Sequence, residues 1–77
     1  MREALIEALK SHATGHIDKH KANVEVLLQK INGIAEHPDV IETIEKELKI
    51  IADYDDQLEM IEKYFIAKDP FKPFDVK

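Results

Sequence analysis

The chain has 77 residues, no cysteine and a formal net charge of −5. One small domain is therefore the ceiling, disulfide staples are excluded, and a metal or a partner subunit remains as the supplement that so small a core needs. The acidic balance excludes the basic surface that nucleic-acid phosphates require. No stretch approaches the roughly 20 apolar residues that cross a bilayer. From Met1 to Lys10, charged and apolar residues alternate at helical spacing with no continuous apolar run of the signal-peptide kind. The expectation is a soluble, cytoplasmic protein with no membrane and no nucleic-acid partner.

Residues 2–31 predict one helix. At about 100° per residue, Glu3, Glu7, Lys10, Thr14, Asp18, Lys21, Glu25 and Gln29 gather on one side. Leu5, Ile6, Leu9, Ile17, Val24, Leu27 and Ile31 gather opposite. A third strip is made of small residues, Ala4, Ala8, Ser11, Gly15 and Ala22, which would let a neighbouring helix approach closely, or which serve simply as good helix formers where they are alanine. Asn32-Gly33 supplies a C-terminal stop, since glycine takes the left-handed conformation without a Cβ penalty. A loop over residues 32–37 is short enough to make the flanking helices antiparallel neighbours.

Residues 38–66 predict the second helix. Pro38 suits a first turn, and Asp39 with Glu42 resembles a capping box. Val40, Ile41, Ile44, Leu48, Ile51, Tyr54, Leu58, Ile61 and Phe65 form its apolar face. Two prolines, Pro70 and Pro73, stop any helix in the last segment, residues 67–77. That segment reads as an extended tail whose Phe71 and Phe74 are candidates for docking on the bundle or on a partner.

The fold expected is all-α: an antiparallel two-helix hairpin over residues 1–66 followed by the tail. Each helix carries an apolar arc wider than one neighbouring helix can cover. A homodimer that closes into a four-helix bundle would cover both arcs. Charge fits this arrangement. Residues 36–66 carry ten acidic and three basic groups, against four and five in residues 1–31. The second helix would therefore avoid its own copy and lie beside the first.

His12, His16 and His20 recur every fourth residue on the apolar side of the first helix. On the second helix, Glu47, Asp55 and Glu62 interrupt the apolar face in the same manner. With this loop, residues at one level of the hairpin have numbers that add to about 70. Asp55 then falls opposite His16 and near His12, Glu47 opposite Asn23 and near His20, and Glu62 near Ala8. A carboxylate placed inside is costly unless paired, so one reading is a polar layer of buried histidines and carboxylates that sets register.

A second reading is a transition-metal site, zinc for example, held by His12, His16 and Asp55, with His20 and Glu47 nearby and a dimer mate or water completing the set. A third is assembly that responds to histidine protonation, and a fourth is partly exposed histidines without special consequence. The pattern gives catalysis little support. Ser11 is the only serine, its neighbour His12 points about 100° away on a helix, and no phosphate-binding glycine loop exists.

The run Gly15-His-Ile-Asp-Lys-His-Lys-Ala-Asn-Val-Glu-Val26, the segment Gly33-Ile-Ala-Glu-His-Pro-Asp39 and the run Tyr54-Asp-Asp-Gln-Leu-Glu-Met-Ile-Glu-Lys-Tyr-Phe65 resemble small uncharacterised proteins of marine T4-like phages, cyanophages among them. The resemblance spans residues 1–66 and leaves out the tail. It implies a phage-encoded accessory or host-interaction protein in the host cytoplasm, with an unidentified protein partner, and it assigns no catalytic or binding residues.

Overall fold

The computed structural model describes residues 1–30 and 39–66. They form two α-helices, α1 over Arg2–Lys30 and α2 over Asp39–Phe65. The Asn32-Gly33 stop, Pro38, the loop between the helices and the tail with Phe71 and Phe74 lie outside the described residues. No helix among the described residues is long and apolar enough to cross a membrane.

Local chemistry accounts for both helices. The amide of Leu5 donates to the carbonyl of Met1 at 3.0 Å, closing the first turn of α1, where Glu3 faces the positive end of the helix dipole. Asp39 and Glu42 sit in the first turn of α2 and Lys63 in its last, so charge follows the dipole at both ends. At 29 and 27 residues the helices are about 40–44 Å long.

They pair antiparallel along their length. Arg2 meets Phe65, Lys10 meets Glu62, His16 meets Tyr54, and Asn23 meets Glu47. The paired numbers add to between 67 and 72, which is the level relation expected of a hairpin with this loop. The Arg2 Nη2 donates to the Phe65 carbonyl at 2.5 Å, giving a cation to the negative end of α2 and a partner to a carbonyl that the helix leaves unpaired.

The seam does not lie along the centre of the expected apolar arc of α1. Ala13 is the only buried hydrophobic residue among those described, at 0% exposure. Ile6, Ile17, Val24 and Leu27 flank it half-buried, together with Lys10, His16, His20 and Asn23. Leu5 and Leu9 remain 58% and 54% exposed. The small strip does not mediate close approach either: Ala4, Ala8, Ser11, Gly15 and Ala22 are all exposed, and a Cβ built on Gly15 would meet nothing within 4 Å. On α2, Val40, Ile44, Ile51, Tyr54, Leu58 and Ile61 turn inward as expected, joined by Glu47 and Ile50, whereas Ile41, Leu48 and Phe65 are more than half exposed.

Candidate functional site

The side chains with chemistry collect at mid-length of the hairpin. Steps of four residues stack His12, His16 and His20 along one flank of α1. Adjacent ring centroids are 4.4 Å apart for His12–His16 and 6.1 Å for His16–His20. Tyr54 of α2 lies against them, parallel to His16 within 8° at 4.6 Å and edge-on to His12 at 5.9 Å. Below this ladder, Glu47 Oε1 lies 2.5 Å from His20 Nδ1 and accepts a hydrogen bond from Asn23 Nδ2 at 3.1 Å. The side chains of His20 and Glu47 are only 12% and 17% exposed.

The electrostatics follow from the contacts. The bonds from His20 and Asn23 hold the Glu47 carboxyl below its ordinary value, against the opposing pull of partial burial. Partial burial pushes His16 down from the ordinary histidine value, and the neighbouring His12, Lys19 and His20 charges push the same way. His16 is thus kept as a neutral ring stacked on Tyr54. His20, Asn23 and Glu47 form a clasp around an ionised carboxylate, with charge-assisted bonds of the stronger kind.

Two expectations about this region need correction. The histidines are not buried: His12 is exposed, and His16 and His20 are half-buried. Two helices close off only a residue as small as Ala13 between them and leave the flanks of their seam open, so a row on the flank of a hairpin cannot be enclosed by the hairpin alone. Nor does Asp55 face His16. Tyr54 occupies that level, and Asp55, one residue on, is turned about 100° away and exposed. Glu62 lies 3.7 Å from Lys10 on the other side of the hairpin, away from the histidines.

These placements also bear on the metal reading. No group of three or more His, Asp or Glu residues among the described residues converges on a point that could hold an ion. His12 and His16 provide two imidazoles at i and i+4, but Asp55 does not complete a set with them within one chain. Periodicity placed Tyr54 on the inward face of α2 but not against the histidines, and it missed the pairings of Arg2 and Lys10. The level relation could have found all three, since each sits opposite its partner by residue number. No protein family, curated protein or solved structure matches this chain, so the functional reading rests on this geometry.

Proposed function

We propose that this chain is a non-enzymatic interaction protein that acts as a homodimer, two hairpins closing into a four-helix bundle that engages a further protein. The observation that carries the reading is the mismatch between buried and exposed apolar side chains. Among the described residues Ala13 alone is buried, while ten large hydrophobic residues are exposed. Helices in folded proteins owe most of their stability to tertiary packing of an amphipathic face, and two helices that enclose no large side chain between them have little of that packing. A second copy supplies it without disulfides, which the chain cannot form. The role assigned to the chain is accessory: a compact dimer that presents an acidic outer surface to a further protein, a host protein if the chain is phage-encoded.

Sedimentation velocity across the micromolar range tests the dimer. The expected species has twice the 8.9 kDa chain mass. A monomer that retains full helical circular dichroism at the highest concentration would overturn the reading.

A further inference from the structure

Resting on the dimer reading, we infer which face meets the second copy: the one carrying the apolar groove and the histidine–tyrosine ladder, with α1 of each copy lying over α2 of the other. The groove has a volume of about 440 Å³ and runs between the start of α1 and the end of α2, lined by Met1, Leu5, Leu9, Ile61 and Phe65 among others. It continues directly into the ladder. Leu5, Leu9, His12 and His16 follow one another at steps of four and three, and the same alternation continues through Lys19 and Asn23 to Val26. That is the spacing of a seam between two helices. It lies beside the surface that α1 gives to its own α2, and most of it is exposed. On α2, Met60 and Tyr64 fall on the matching flank and are exposed too.

Charge selects the orientation. Between Asp39 and Phe65, α2 carries nine acidic and three basic groups, whereas α1 carries four acidic and five basic ones. Setting α2 on its own copy would bring two strongly acidic helices together. Setting α1 over the copy's α2 avoids this and keeps every neighbouring pair antiparallel. It also places Lys19 at nearly the level of the copy's Asp53, by the residue-number relation of the hairpin. The two-fold axis then runs along the length of the bundle, so like levels meet. Groove faces groove at the open end, and the His12–His16–Tyr54 layer faces its own copy at mid-length. The ladder is a half-built layer in one chain and a closed one in two.

The rival seam is the opposite face, marked by the Lys10–Glu62 pair and by exposed Ile41 and Leu48. Paired charge insertions separate the two. Leu9→Glu places two carboxylates in the proposed seam of each dimer and should raise the half-dimerisation concentration about a hundredfold or more. Leu48→Glu on the other face should leave it within about threefold of wild type. The reverse ranking overturns the seam and leaves the dimer standing. A wild-type monomer overturns the dimer and the seam with it. Should Leu9→Glu lose its helical circular dichroism, wild-type protein decides: His12, exposed in one chain, should react with diethyl pyrocarbonate in dilute solution and become protected as dimer forms. His12 reacting equally in monomer and dimer overturns the seam.

Discussion

The two helices use their apolar residues differently. The inward surface of α2 is mostly aliphatic, with Val40, Ile44, Ile50, Ile51, Leu58 and Ile61 half-buried and one ring, Tyr54, and one carboxylate, Glu47, among them. The inward surface of α1 mixes Ile6, Ile17, Val24 and Leu27 with Lys10, His16, His20 and Asn23, and closes tightly only at Ala13. Leu5, Leu9, Val26 and Leu28 of α1 stay exposed. The lesson is that α1 has two apolar surfaces to satisfy, and the hairpin meets only one of them. The intrachain seam is therefore shallow and sensitive at a few points, while much of α1 tolerates change.

The largest expected effect falls at the tightest point of the intrachain seam, Ala13. Ala13→Leu adds volume where α1 has no free space. Either the helices separate or the introduced side chain leaves its preferred rotamer, and overpacking of this kind costs about 1–3 kcal/mol. Chemical denaturation by circular dichroism should show the midpoint falling. A midpoint equal to wild type would mean that the helices do not approach at Ala13.

Part of this was legible in the sequence, for a physical reason in each case. The antiparallel order and the level relation follow from helix rise and a short connection, and they place Glu47 beside His20 and Asn23 correctly. The rotation of α1 was not legible. Its apolar residues spread over a wide arc, and a single neighbouring helix can rest anywhere on such an arc. Alanine gives no strong apolar signal, so Ala13 did not stand out against Leu5 and Leu9. Asp55 was misplaced by one residue, and on a helix one residue is a turn of about 100°. That was enough to exchange an expected carboxylate for the Tyr54 ring.

Acid should break the polar centre of the hairpin in two steps. The folded chain holds His16 below the ordinary value of 6.5, so it binds fewer protons there than the unfolded chain. The stability that His16 contributes is complete above 6.5 and is lost as pH falls through the folded value. Glu47 is held below the ordinary 4.5. Its contribution is complete above that value and is lost in a second, lower window as pH falls through the folded value. Melting curves at pH 7.5, 5.5 and 3.5 should therefore descend stepwise. His16→Gln should flatten the upper step and Glu47→Gln the lower. A melting temperature that rises between pH 7.5 and 5.5 would contradict the account of His16.

A finer test of the clasp removes one hydrogen bond and leaves the carboxylate and His20 in place. Asn23→Ala deletes the donor at 3.1 Å from Glu47 Oε1. The expected loss is about 0.5–1.5 kcal/mol, the net worth of a typical intramolecular bond. Repeating the change in a Glu47→Gln background should shrink the loss, because a neutral amide oxygen accepts more weakly than a carboxylate. Equal losses in the two backgrounds would show that Asn23 acts without Glu47.

The smallest effect has the opposite sign and sharpens the contrast between the seam of α1 and its solvent side. Gly15 is helical, has no left-handed backbone angle, and faces open space where a Cβ would touch nothing within 4 Å. It therefore mediates no close contact, and its cost in backbone entropy is uncompensated. Gly15→Ala should stabilise the protein by about 0.4–1 kcal/mol, two residues from a position where one larger side chain does the reverse. Gly15 lies on neither the intrachain seam nor the proposed dimer flank, so the gain should appear in the melting temperature and leave the monomer–dimer equilibrium of the folded chain unchanged. A destabilised Gly15→Ala variant would mean that a second chain packs against this strip of small residues, and the assignment of the solvent side of α1 would have to be redrawn.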